Sequence, residues 1–174
     1  MGLGPIGLMF AHVAKLMGAR VIASARNPMK LELAKSFAYA DKIVNSTKVD
    51  YVKEFIEFSD EKMGLDVAVD CVGLPEIWEQ LPQTVRKGGT VMLFGGCKSG
   101  TTVTFDTKRL HYDEVKLISA FHHTPMYIKE ALDMITSKKI DVKKLITCEM
   151  PLSKTKEALE MQGNSKAIKI VLKP

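Results

Sequence analysis

The chain opens with Gly2-Leu3-Gly4-Pro5-Ile6-Gly7, a G-x-G-x-x-G spacing preceded by Met1 alone. No other feature constrains the fold as much. The spacing suits a tight turn that feeds a helix and lets backbone approach a dinucleotide pyrophosphate. A buried strand normally leads into such a turn, and the sequence has none before Gly2. The expectation is therefore part of a larger protein, cut at the phosphate loop.

Behind the turn, short apolar runs alternate with helical ones. Residues 7–17 read as a largely buried helix ended by Gly18, and residues 21–24 as a short strand. Asn27 is placed to cap a second helix, with Pro28 in its first turn. Residues 42–45 read as a strand, and Val49, Val52, Phe55 and Ile56 put a helix over 48–62. Residues 66–71 form a buried strand, and 76–85 a helix that Pro82 should kink or break. A turn at 87–89 precedes strands at 90–94 and 115–121. This alternation predicts a parallel sheet with helices on both faces. After about residue 124 the pattern changes. A helix over 127–137 should bury Ile128, Ala131, Leu132 and Ile135, Ser153 should cap another reaching Met161, and 167–172 reads as a last strand.

With 46% hydrophobic residues and 26% charged, the 174-residue chain can build a core and is not disordered by composition. The ten methionines read as core filler. A formal charge of +5, spread along the chain without interleaved aromatics, argues against a nucleic-acid surface. Cys71, Cys97 and Cys148 are too far apart for a metal ribbon and suggest free thiols in a cytoplasmic setting. No apolar run approaches membrane-spanning length, so no membrane partner is expected.

The end of the strand after the glycine turn selects the cofactor. A carboxylate about twenty residues past the glycines would bind the ribose hydroxyls of NAD. This sequence has Ala25 there, followed by Arg26. A small neutral residue leaves room for a 2′-phosphate, and a guanidinium pairs with one well. Lys30 could join it one helical turn on, and Ser24 could donate a hydroxyl hydrogen bond. The pattern favours NADP over NAD. Gly2, Gly4, Pro5, Ile6 and Gly7 would hold the pyrophosphate.

The run from Gly2 to Asp41, with Asp66-Val67-Ala68-Val69-Asp70-Cys71-Val72-Gly73, Arg86-Lys87-Gly88-Gly89-Thr90-Val91 and the ending 167–174, resembles the zinc-containing medium-chain dehydrogenases. The sorbitol (L-iditol) and threonine dehydrogenase branch is most similar, and residues 24–28 resemble its NADP-preferring ketose reductases. The resemblance implies a Rossmann-type doubly wound α/β fold lacking its first, central strand, followed by a C-terminal helix-strand segment. Residues 1–123 would be the dinucleotide-binding domain, and 124–174 would return toward a catalytic domain whose zinc ligands precede residue 1. The segment 101–105 could belong to a dimer-forming edge, making a homo-oligomer the expected assembly.

By the same resemblance, Val72, Gly73, Phe94, Gly95, Phe121 and His122 would lie along the ribose and nicotinamide, and Lys169 near the pyrophosphate. No catalytic residue and no metal ligand is assigned in this chain. The implied activity is hydride transfer between a small alcohol or polyol and the nicotinamide, with zinc bound elsewhere. The alternatives are a zinc-free quinone or enoyl reductase-like member and a non-catalytic NADP-binding module. A methyltransferase that uses S-adenosylmethionine would need an acid where Arg26 stands. His122 and His123 are adjacent and would point to opposite sides of a strand, which argues against a shared metal. Asp66 and Asp70 read as solvated strand-end carboxylates.

Overall fold

Helix α1 (Pro5–Leu16) starts directly on the glycine turn, and β1 (Ile22–Ala25) returns beside it. The computed structural model describes residues 1–174 and divides into two units, Met1–Phe121 and His122–Pro174. In the first unit α2 (Pro28–Ser36) follows, with the Asn27 side chain accepting from Met29 N as a cap. Next come β2 (Lys42–Asn45) and α3 (Tyr51–Phe58), which the Asp50 carboxylate caps through Val52 N and Lys53 N. β3 (Leu65–Asp70), α4 (Pro75–Gln80), β4 (Val85–Leu93), α5 (Thr107–His111) and β5 (Lys116–Ser119) complete the unit.

All strand pairs are parallel. β1 pairs with β2 in one sheet, and β3, β4 and β5 pair in that order in another. Met1 and Gly2 lie between the facing edges of the two sheets. Met1 N donates to the Val69 carbonyl at 2.6 Å, and Cys71 N donates to the Met1 carbonyl at 2.9 Å. On the other side Gly2 N donates to the Ser24 carbonyl at 2.9 Å. Two residues thus carry the ladder across the gap at one end, while Val67 of β3 is left 56% exposed.

The core of this unit joins β3 and β4 to α3 and α4. Tyr51 and Phe55, four residues apart on α3, are buried with ring centroids 5.5 Å apart, beside Ile77, Leu81 and Val91. Arg109 of α5 fastens the segment after α4 to β4. Its guanidinium donates to the carbonyls of Pro82 and Val85 and to the Asp113 carboxylate. That bond holds the Asp113 carboxyl below the usual carboxylate range.

The second unit holds α6 (Pro125–Thr136), β6 (Ile146–Pro151), α7 (Thr155–Gly163) and β7 (Lys169–Lys173), with β6 and β7 paired. Its core is small: Ile140, Leu145, Ala158, Ala167 and Ile168 are buried.

Several expectations need correction. The helix expected over 48–62 is shorter, because Asp50 caps it and Ser59 closes it by accepting from Gly64 N. The helix over 76–85 stops at Gln80. A tight turn of helix, Leu81–Thr84, takes Pro82, and Val85 already belongs to β4, which runs through the turn expected at 87–89. α6 forms, but Ile128, Ala131, Leu132 and Ile135 are exposed rather than buried. Ser153 caps nothing: it lies in a short helical turn, and α7 starts after Lys154 without a side-chain cap. No methionine is among the buried core residues, and Met17, Met63 and Met126 are more than half exposed. Residues 101–105 form no strand; their backbone is held by Thr104 N donating to Glu79. Helix α5 and strand β6 had no counterpart in the sequence reading.

Candidate dinucleotide site

The glycine turn packs more tightly than any side chain would allow. Gly2 has φ of +86°, and a Cβ there would lie 2.7 Å from Val72 Cγ2 and 3.1 Å from the Cys71 carbonyl carbon. A Cβ on Gly7 would overlap the Gly2 carbonyl. Gly4, between them, has nothing within 4 Å of where its Cβ would be. The outer two glycines therefore serve packing within the protein, and the middle one leaves open space above the backbone.

That space lies at the start of α1. Gly4 is the N-cap and offers no side-chain acceptor, Pro5 occupies the first turn, and no acid is present there. The first intrahelical bond is Leu8 N to Gly4 O, so the amides of Ile6 and Gly7 precede it. Uncapped N–H groups and the positive end of the helix dipole favour an anion.

On one side the site is bounded by the end of β1. Ala25 is buried and Arg26 is exposed, while Lys30 is half-buried in the first turn of α2. Ser24 is fully buried and its Oγ has no hydrogen-bond partner. Ser24 pairs with Val44, and that pairing puts its hydroxyl on the face shared with Ile22 and Val44, both part of the core cluster. Its backbone, not its hydroxyl, meets the glycine turn through Gly2 N.

On the other side lie Val72 and Gly73 after β3, and Phe94 and Gly95 after β4. The Phe94 ring stands edge-on to Phe10 of α1 at 5.0 Å. The Asp70 carboxylate accepts from Val72 N at 2.8 Å, Gly73 N at 3.0 Å and Trp78 Nε1 at 3.0 Å. Asp70 is fully buried, which corrects its reading as a solvated strand end; Asp66 is exposed, as expected. Sequence reasoning misread Asp70 and passed over Trp78. The available signal was an acid ending an apolar strand, with Val-Gly two and three residues later and the chain's single tryptophan at its eighth.

The structure thus gathers the glycines, residues 24–26 and 30, Val72, Gly73, Phe94 and Gly95 in the first unit. Phe121, 87% exposed, ends that unit; His122 and Lys169, both exposed, belong to the second. Burial pushes the Cys71 thiol up to about 11 against the pull of the Met1 ammonium, so it is neutral at pH 7 and suited to packing rather than attack. No three His, Cys, Asp or Glu side chains converge as a metal site, so the residues present do not fit a zinc ion.

An α/β unit with parallel strands and a glycine turn at the mouth of α1 is a nucleotide-binding architecture of the doubly wound class. The sequence profile of the family described as "Zinc-binding dehydrogenase" matches residues 5–137, and the chain belongs to that family. It is 29% identical to D-arabinitol dehydrogenase 1 of Uromyces fabae, over 99% of this chain and 50% of that one. It is 30% identical to sorbitol dehydrogenase of Homo sapiens, over 99% and 48%. The chain spans about half the length of the curated relatives it matches. Among solved structures, benzyl alcohol dehydrogenase of Acinetobacter calcoaceticus superposes with a TM-score of 0.91 at 26% identity, covering 99% of this chain and 48% of that one. A zinc-binding dehydrogenase of Sinorhizobium meliloti 1021, solved bound to NADP, shares the fold at TM-score 0.91 and 24% identity, over 99% and 51%.

The three glycines should respond differently to alanine. Gly7→Ala forces backbone apart and is expected to cost about 1–3 kcal/mol or more. Gly4→Ala is expected to cost no more than about 1 kcal/mol, its cap preference, while filling the open space. Denaturant titration of both variants, paired with dinucleotide binding, checks the contrast: Gly4→Ala should lose binding with little loss of stability.

Proposed function

We propose that this chain is the NADP(H)-binding part of a zinc-dependent alcohol or polyol dehydrogenase. The observation carrying the reading is the pairing of open space over Gly4 with an exposed Arg26, and no carboxylate, at the end of β1. The amides at the start of α1 would hold the pyrophosphate. Arg26, with Lys30 in the first turn of α2, would hold the 2′-phosphate. Ala25 leaves room for that group, and Val72, Gly73, Phe94 and Gly95 would face the other half of the dinucleotide.

When bound, NADP supplies a ring carbon that accepts or returns hydride. The part of this chain is to bind the dinucleotide and orient it across the strand ends. The names of the relatives, dehydrogenases of sorbitol and D-arabinitol, support a polyol as the substrate class of the whole protein. No helix is long and apolar enough to cross a membrane, and the three cysteines are free thiols. These features support a cytoplasmic enzyme; a homo-oligomer is part of the same proposal. The exposed His122 and the second-unit Lys169 are retained as proposed cofactor contacts, as is Phe121.

The test is cofactor selectivity. Arg26→Asp is expected to weaken NADP binding by about 10–100-fold, the worth of a lost charge-assisted phosphate contact, and to leave NAD unchanged or tighter. Calorimetric titration of both dinucleotides reads this directly. Equal affinities before and after the change would refute the phosphate pocket.

A further inference from the structure

Asp70 is a buried carboxylate held by N–H donors rather than by Lys or Arg. Its side chain takes Val72 N, Gly73 N and the Trp78 indole, and its carbonyl takes Phe94 N at 3.2 Å and Gly95 N at 2.9 Å. Trp78 Nε1 is shared with the Gly95 carbonyl at 3.1 Å. One residue and one indole thereby bind the turn after β3 to the turn after β4. The packing leaves no slack. A Cβ on Gly95 would lie 2.5 Å from Gly73 N and 2.8 Å from Asp70 Oδ2. Gly73, with φ of +76°, would drive a Cβ into the Gly96 carbonyl.

Burying a carboxylate without a cation costs several kcal/mol unless its lone pairs are satisfied. A neutral side chain would end β3 at lower cost. What the carboxylate achieves is orientation. It draws the amides of Val72 and Gly73 inward. In a trans peptide the carbonyl points opposite to the N–H. The carbonyls of Cys71 and Val72 are therefore turned away from Asp70, and that of Cys71 lies toward Gly2, 3.2 Å from where a Cβ on Gly2 would sit. The turn then carries its acceptors on the face away from Asp70, that of Cys71 beside Gly2.

We propose that Asp70 and Trp78 are positioning residues that fix the two strand-end turns as a single acceptor surface for the nicotinamide half of the dinucleotide. The groups this surface recognises are hydrogen-bond donors, a ribose hydroxyl or a carboxamide N–H. The proposal rests on the dinucleotide reading above.

The experiment compares two probes on the 174-residue chain. NADP⁺ carries both halves, whereas 2′,5′-ADP carries only the adenosine half with its phosphates. Asp70→Asn keeps the shape and loses acceptor capacity; Trp78→Phe keeps a ring and loses only the N–H. Each variant is expected to bind NADP⁺ about 3–10-fold more weakly, the worth of one neutral hydrogen bond from a displaced carbonyl to the ligand, with 2′,5′-ADP held within about twofold. In the parent chain the one indole ¹H–¹⁵N resonance should shift with NADP⁺ and stay in place with 2′,5′-ADP. Equal losses for both probes would indicate a general packing role and overturn the proposal, as would no loss for either. If the parent binds 2′,5′-ADP but gains nothing from the nicotinamide half, the positioning role falls and the phosphate pocket stands. If it binds neither, both fall. Should Asp70→Asn fail to fold, Trp78→Phe decides alone.

Discussion

The chain passes so close to itself between Gly2 and Cys71 that no side chain fits, and the arrangement of the first unit follows from that approach. Gly2 touches Val72, and its carbonyl occupies the place a side chain on Gly7 would need. α1 is thereby seated against the end of β3. Its first turn then opens between the end of β1 on one side and the turns after β3 and β4 on the other. The open space over Gly4 lies where this backbone comes together.

The same approach sets the electrostatics. The Asp70 carboxylate is buried beside it and accepts three N–H groups, from Val72, Gly73 and Trp78. A charge that accepts several fixed donors organises its surroundings.

Local signals made much of this legible. Asn27-Pro28 marked the start of α2, Pro82 the end of α4, and the G-x-G-x-x-G spacing the mouth of α1, because each acts through backbone conformation within one turn. The helix α6 was also found, but its burial was not. An apolar stripe says which face would be covered, and within the second unit Ile128 and Leu132 have no cover. β6 was missed although Ile146, Cys148 and Met150 alternate with Thr147, Glu149 and Pro151, the period of a half-buried strand. α5 was missed because five residues are too few to show a helical period. Asp70 was misread for a different reason. Whether a strand-end carboxylate is solvated depends on what lies across from it, and Trp78 and Gly95 arrive there only through the pairing of β3 with β4.

The two halves of the candidate site therefore differ in how they are encoded. The side at β1 is written in side-chain charge: Arg26 present, an acid absent, and a small residue between strand and cation. Such a code can be read in order along the sequence and altered by one substitution. The side at β3 and β4 is written in backbone, as two glycine turns held by a buried carboxylate and an indole, and no single residue there advertises a ligand. The exposed Arg26 can be exchanged without disturbing the fold. The second side has no such freedom, because Gly73 and Gly95 admit no Cβ and Asp70 bonds the turn after β3 to the turn after β4. Under the proposed function, the charge that would choose between phosphorylated and plain dinucleotides sits where the sequence can vary, and the surface for the other half sits where it cannot.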